Sequence, residues 1–351
     1  MPKIISTAQH GYVFGLDGAS FKELCAEVEN RKCLERLGFS SFDELAMHYG
    51  RIPKCPSCGN EGVCRDGTDS SGSQRYRCSC GRRFGLLTNS VLASAKTTLA
   101  QWLSMVSLMS YNVPLDLIAE QVGIHHNTAL LMRRKLFETV NGWQEKVRLS
   151  GTVFIDEVYT FDSDKPKNHY GSNQRGLNKN KRCIFLAIDQ YKNMVAFLVG
   201  SGMPTSKRIN DALLPHLANG NVTKIVHDGL RAHHRAIKSA GVKDEIHKSI
   251  VRDEETLRAM VLVNSFSSWI KRYLSRFIGM DTSYLQDYLN WFVYLFRCKK
   301  QSETWPRDER IIRHLLLSDA VITRRQVPEK RKNPQCFRGK LGKKSKQILD
   351  K

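Results

Sequence analysis

The chain has 351 residues, long enough for two or three domains, and its 55 Lys and Arg against 34 Asp and Glu leave a net charge of +21. An excess of that size favours a polyanionic partner, nucleic acid first. No apolar run approaches the length of a membrane span, and the opening MPKIISTAQHGYVFG lacks the apolar core of a secretory leader. A reducing, cytoplasmic setting without membrane contact is therefore expected, and the ten cysteines are not read as a disulfide framework.

Residues 1–50 read as helical. FKELCAEVENRKCLERLG and SFDELAMHYG place apolar residues at three- and four-residue steps, with Ser41 as a cap for the second. Residues 51–95 follow with KCPSCGNEGVCRDGTDSSGSQRYRCSCGRRFG. The pairs Cys55/Cys58 and Cys78/Cys80 are two thiolate knuckles about twenty residues apart, joined by a Gly/Ser/Asp-rich turn and a strand-like QRYRC. That layout suits a structural Zn²⁺ in a zinc ribbon, and so little apolar residue surrounds it that the metal would carry the fold. The second pair is CxC rather than CxxC. Cys25, Cys33, Cys64, Cys183, Cys298 and Cys336 have no pairing logic and read as structural.

Residues 96–148 hold an amphipathic helix, TLAQWLSMVSLMSY, and then PLDLIAEQVGIHHNTALLMRRKLFETV. The second stretch has the layout of a helix-turn-helix. Leu115, Ile118, Ala119 and Val122 form the inner face, Gly123 the turn and Ile124 a plug, while Asn127, Thr128, Arg133 and Arg134 are expected on the exposed face for DNA. An ordinary helical hairpin shares that periodicity; the ribbon and the charge favour DNA.

Residues 149–300 change pattern. GTVFIDEVYTF, RCIFLAIDQ and MVAFLVGS are strand-like, the last two joined as a hairpin through YKN. A helix around 207–217, the strand TKIVHD, the helix AHHRAIKSAG, a short strand DEIHKS and a long helix from about Thr256 follow. Three meandering strands and then strand–helix alternation is the order of an RNase H-like α/β domain, though other mixed folds share the pattern.

Asp156 sits in the first of these strands and Asp228 at the end of the fourth. In that fold the two strands are central neighbours, and two facing carboxylates both stay ionised only around a shared cation. Oxygen ligands favour Mg²⁺ (or Mn²⁺) over zinc. Side chains alternate along a strand, so Glu157 points to the face opposite Asp156 and reads as a supporting or salt-bridged residue. In the long helix Phe266, Ile270, Tyr273 and Phe277 make one apolar stripe. Asn264 and Lys271, two turns apart, share the other face, as a cleft-lining pair or an idle solvated one. His227, His233, His234 and His247 read as ordinary helix and strand-edge histidines, and adjacent His233 and His234 cannot both face one site on a helix. From Arg324 to Lys351 eleven cations face only Glu329 and Asp350, so residues 301–351 read as a basic C-terminal tail.

Taken together, CPxCG with CxCG, the helix-turn-helix, GTVFIDEVY, IVHDG and VNSFSSWIKRYL followed by SYLQDYLNWFVYLFR resemble bacterial insertion-sequence transposases of the DDE superfamily. The nearest group carries an N-terminal zinc ribbon and often has Asn where others have the third Glu. The resemblance spans about residues 50–300, in the same order. It implies a multidomain α/β chain: zinc ribbon and helix-turn-helix, then an RNase H-like (retroviral-integrase-like) catalytic domain. It implies that Asp156 and Asp228 bind the catalytic metals, that Asn264 completes the set, and that Lys271 contacts DNA near the scissile phosphate. Glu254 and Glu255, upstream, are substitutes for Asn264. The expected partners are double-stranded DNA, as terminal inverted repeats and as target, and further copies of the chain assembled on paired ends at the nucleoid. The expected activity is metal-dependent strand cleavage and strand transfer, with Lys179, Lys181 and Arg182 holding phosphates. The alternatives are an RNase H-like nuclease without strand transfer and a domesticated, non-catalytic DNA-binding protein.

Overall fold

The computed structural model describes residues 7–69, 73–93, 95, 97–161, 181–217, 221–247, 254–277, 280–300 and 307–319. Three helices open the chain: α1 (Thr7–Phe14), α2 (Gly18–Leu37) and α3 (Phe42–His48). The Ser41 side chain accepts the Glu44 N–H and so caps α3 as its sequence position suggests. Three short antiparallel strands follow, β1 (Cys64–Thr68), β2 (Gln74–Arg77) and β3 (Arg83–Gly85). Next come α4 (Leu99–Ser110), α5 (Leu115–Val122) and α6 (His126–Val140). Thr98 and Gln101 close a reciprocal capping box at the start of α4, worth about 1 kcal/mol. α5 buries Leu115, Ile118, Ala119 and Val122, the four residues its periodicity singles out. Gly123, at φ 68°, makes the left-handed turn into α6 that a side chain would resist. Ile124 is only half-buried, so it flanks the core rather than plugging it.

The remaining strands and helices are β4 (Gly151–Phe161), β5 (Lys181–Asp189), β6 (Met194–Ser201), α7 (Ser206–Leu217), β7 (Val222–His227), α8 (Arg231–Ala240), β8 (Lys243–Ile246), α9 (Glu254–Leu274) and α10 (Leu285–Lys300). The sheet order is β6-β5-β4-β7-β8. β4, β5 and β6 are antiparallel, whereas β7 runs parallel to β4 and β8 parallel to β7. The YKN hairpin is tied by Asp189, whose carboxylate accepts the N–H groups of Tyr191, Asn193 and Ser150.

Both faces of this sheet are covered, which is why β5 is apolar almost throughout. Val153, Ile155, Phe185, Ile225 and Ile237 share one core with α7 and α8. Val158, Leu186, Val226, Phe266, Ile270 and Leu289 share the other with α9 and α10. Each such side chain contributes roughly 1.5–3 kcal/mol by burial.

Among the described residues the chain divides into two compact units, one built from α1–α6, β1–β3 and a last helix, α11 (Arg307–Leu317), the other from β4–β8 and α7–α10. α11 falls within the stretch read from charge as a tail. Its Ile311, Ile312, Leu315 and Leu316 are buried, and that amphipathic spacing makes it a structural helix. His314 Nε2 donates to the Thr139 carbonyl, Tyr49 hydroxyl donates to Glu309, and the buried Arg51 guanidinium donates to the carbonyls of Leu86, Thr88 and Leu316. The basic run from Arg324 and Cys336 lies outside the described residues. No helix among the described residues is long and apolar enough to cross a membrane.

Candidate active site

The alternation along β4 builds the site. Val153 and Ile155 enter the core under α7 and α8, while Val158 enters the core under α9 and α10. Asp156 therefore faces α9 and Glu157 faces α8. β7 pairs with β4 in a parallel ladder that matches Phe154 with Val226. Asp156 lies two residues beyond that pair on β4 and Asp228 just past the end of β7, near enough for the Asp228 charge to act on the Asp156 carboxyl. Gly229, which follows Asp228, adopts φ 87°, a left-handed conformation that suits glycine.

Each acid is held differently. Asp156 Oδ2 accepts a hydrogen bond from Ser267 Oγ on α9 at 3.0 Å. Burial lifts the Asp156 carboxyl to about 6, and the nearby Glu157 and Asp228 charges add to the rise, against the Ser267 hydroxyl and a backbone N–H that lower it. Asp228 Oδ1 accepts the Leu230 N–H at 3.0 Å and lies 3.3 Å from His233 Nδ1. That His233 contact is the main cause holding the Asp228 carboxyl below the ordinary range.

His233 is the hub. It is fully buried, and its Nε2 meets Glu157 Oε1 at 2.6 Å. Burial alone would lower its pKa, but the two flanking carboxylates reverse this and raise it to about 9, so it is an imidazolium at neutral pH. Glu157 is thus salt-bridged, as its place on the strand suggests, and its partner is a histidine that reads from sequence as an ordinary one. The correction has a physical cause: Glu157 and His233 are 76 residues apart and meet only because α8 packs over β4. Two carboxylates share this one imidazolium and the Asp156 charge lies close to both, so the acids outnumber the cation here, which is the electrostatics a divalent cation fits.

Asn264 and Lys271 lie on α9 and are both exposed, while Phe266, Ile270 and Tyr273 are buried against the sheet. Ser267, which touches Asp156, lies one turn from each, so the exposed pair flanks the contact rather than facing away from it. The structure brings neither residue into a hydrogen bond or ion pair with Asp156 or Asp228. Glu254 is exposed at the start of α9 and joins Arg258 in an ion pair. Lys181 and Arg182 open β5, and Lys179 lies outside the described residues.

The four ribbon cysteines converge. Cys55 Sγ lies 3.6 Å from Cys80 Sγ, and Cys58 Sγ lies 3.5 Å from Cys78 Sγ. These spacings are far too long for disulfides. They approach the roughly 3.8 Å edge of a tetrahedron with metal–sulfur bonds of about 2.3 Å. The Cys80 backbone N–H draws the Cys78 thiol down to about 6. Cys58, against that thiolate, is pushed up to about 12 despite the Asn60 N–H. Four thiolates this close ionise together only around a cation.

On α6, Asn127 is exposed and Thr128 and Arg134 are partly so, but Arg133 is buried at 8 % exposure. It stands one turn from both Ala129 and Phe137 on the inner stripe of the helix, so the expectation that it faces outward is corrected.

Residues 148–297 match the family described as the ISXO2-like transposase domain. Over 252 residues the chain is 25% identical to an uncharacterized protein in transposable element ISH50 of Halobacterium salinarum, covering 68% of this chain and 83% of that one. Similar solved structures include a pre-cleavage Mos1 transpososome, 13% identical over 63% of this chain and 78% of that one, with a TM-score of 0.21. A Mos1 mariner paired-end complex with Mn is 14% identical over 62% and 78% of the two chains, also at 0.21.

Proposed function

From the premise that the chain carries an insertion-sequence transposase domain of the DDE type, we propose that it cuts DNA at the ends of its own element and joins the freed 3′ ends to target DNA. What supports this is the placement of Asp156 on β4 and of Asp228 just past the end of its parallel neighbour β7, with Ser267 against Asp156 on one face and Glu157–His233 on the other. The strand order β6-β5-β4-β7-β8 supports an RNase H-like catalytic domain at residues 149–300.

In this reading Asp156 and Asp228 hold Mg²⁺ or Mn²⁺, with the Asn264 amide oxygen as a weaker third ligand. When bound, such ions stabilise the attacking and leaving oxygens of an in-line phosphoryl displacement. Ser267 aims the Asp156 carboxylate, and His233 keeps Asp228 ionised and in place. Lys271, exposed one turn beyond Ser267, takes the phosphate next to the scissile bond. The chain positions reactants and neutralises charge, which is most of what phosphoryl transfer asks of a protein.

The cysteine cluster fits Zn²⁺ in a ribbon at residues 51–95, and α5–α6 fit a helix-turn-helix within residues 96–148. These would read the terminal inverted repeats, with Asn127, Thr128 and Arg134 as the contacting residues. Double-stranded DNA and further copies of the chain on paired ends are the partners this reading requires.

The test is incubation of the purified chain with the DNA flanking its gene and Mg²⁺, mapping every nick. Nicks at the element ends that vanish in Asp156→Asn while DNA binding persists support the reading. A wild-type chain that binds those ends and never cuts them overturns it. Cleavage without joined products identifies a nuclease instead.

A further inference from the structure

β6 is an edge strand of the five-stranded sheet, and its segment MVAFLVGS carries neither a charge nor a proline. An uncharged apolar edge offers its backbone groups to any other strand, so folded proteins guard such edges. A register shift between Leu198 and Gly200 interrupts one end of β6. Its middle is closed by side chains. The N–H and C=O of Ala196 are both taken by one amide, Gln144, which accepts the N–H through Oε1 at 2.7 Å and donates Nε2 to the carbonyl at 3.1 Å. A residue on a neighbouring antiparallel strand makes the same exchange of two bonds.

Two further amides extend this contact. Gln286 accepts the Leu198 N–H through Oε1 at 2.8 Å and donates Nε2 to the Ala196 carbonyl at 3.2 Å. Asn290 Oδ1 accepts from Gln144 Nε2 at 2.7 Å and from Gln286 Nε2 at 2.9 Å, and Asn290 Nδ2 donates to Asn141 Oδ1 at 3.1 Å. Gln286 and Asn290 stand one turn apart on α10, Gln144 precedes β4, and all belong to the sheet-bearing unit. Gln144 and Asn290 are buried, and a buried amide is costly unless its donors and acceptors are matched. Fastening α10 to the sheet does not call for them, because Leu285, Leu289 and Val293 already share an apolar core with it. What the amides add, and apolar side chains lack, is occupation of the hydrogen-bonding groups along the edge.

We propose that Gln144, Gln286 and Asn290 stand in for a further strand and close β6 against strand addition by a second copy of the chain. The excluded partner follows from the strand itself. MVAFLVGS presents no charge to repel its own image, so two opened β6 edges would pair across a two-fold axis. The seal is a property of the sheet alone and goes beyond the reading above, since it holds whatever Asp156 and Asp228 do.

The test uses Gln144→Leu in the full chain without DNA, with Gln286→Leu, at a half-buried position, as the milder variant. Hydrogen exchange should quicken by about tenfold at the Ala196 amide in the first and at the Leu198 amide in the second. Below their melting temperatures both variants should form thioflavin-binding oligomers that grow with concentration, under conditions where the wild type forms none. Leu289→Ala loosens the same helix and leaves the amides in place, so it controls for instability alone when compared at an equal distance below its own melting point. Faster association of the amide variants than of that control supports the proposal. Association no faster than the control, no association once the Ala196 amide exchanges freely, or an Ala196 amide that stays protected in Gln144→Leu overturns it.

Discussion

The cysteine cluster and the acid-bearing sheet both gather groups that could hold a metal, yet they are built in opposite ways. Around Cys55, Cys58, Cys78 and Cys80 the strands are three to five residues long, and few of their side chains are buried. Around Asp156 and Asp228 two apolar cores clamp a five-stranded sheet from both faces. On the proposed function, an ion would itself be the core of the first region, whereas in the second the core exists already and an ion would be a reagent. The same chemistry would then serve structure where apolar area is scarce and reaction where it is plentiful.

Metal withdrawal is the harshest way to break that comparison. A strong chelator, or Cys78→Ser, should unfold the segment around the four cysteines, because zinc held there as proposed would supply about 10–16 kcal/mol of folding energy. Limited proteolysis should open new cuts in that segment while β4–β8 stay protected. Equal loss of protection in both regions would show that the sheet also depends on the ion.

Asp156→Asn should do the reverse, leaving the fold and removing the reaction. Loss of several kcal/mol of transition-state stabilisation corresponds to a fall of about a thousandfold or more in cleavage. Its stability effect has a definite sign. The folded carboxyl titrates near 6, above its ordinary 3.8, so ionisation opposes folding at neutral pH and the penalty lifts as pH falls toward 4. Without added Mg²⁺ the variant should melt higher than wild type at pH 7, by about 1–3 kcal/mol, with the gap closing near pH 4.

His233→Ala should destabilise the sheet unit by about 3–5 kcal/mol, since it leaves Glu157 buried without its cation. With a folded pKa of about 9, the imidazolium contributes fully below about 6.5 and its contribution is lost as pH rises through 9. His233→Gln, which keeps a donor, should recover part of the stability and flatten that alkaline slope in melting curves.

The mildest change, Ser267→Ala, removes one hydrogen bond to Asp156, worth about 1 kcal/mol. Cleavage should fall severalfold, and the pH at which it reaches half its maximum should move up, because the hydroxyl favours the ionised acid. An unmoved pH profile would mean that Ser267 only packs.

What the sequence made legible follows the reach of local rules. The burial of Leu115, Ile118, Ala119 and Val122 obeys helical period alone, and the opposition of Asp156 and Glu157 obeys strand period alone. Arg133 and α11 were obscured for one reason: charge suggested solvent, whereas position on an amphipathic stripe decided burial. His233 and Ser267 carry no local sign. Their roles arise from helices laid over β4 from regions 76 and 111 residues distant. The resemblance to a transposase points to Asp156 and Asp228; it carries no sign of Ser267 or His233, which touch them.

The Leu230 amide and the His233 ring have a consequence for how this centre can change. Both grip the Asp228 carboxylate from within five residues of it, so an insertion or deletion between 228 and 233 would pull the acid out of line. Length changes should therefore be tolerated past the end of α8 and refused in the short link that leads into it.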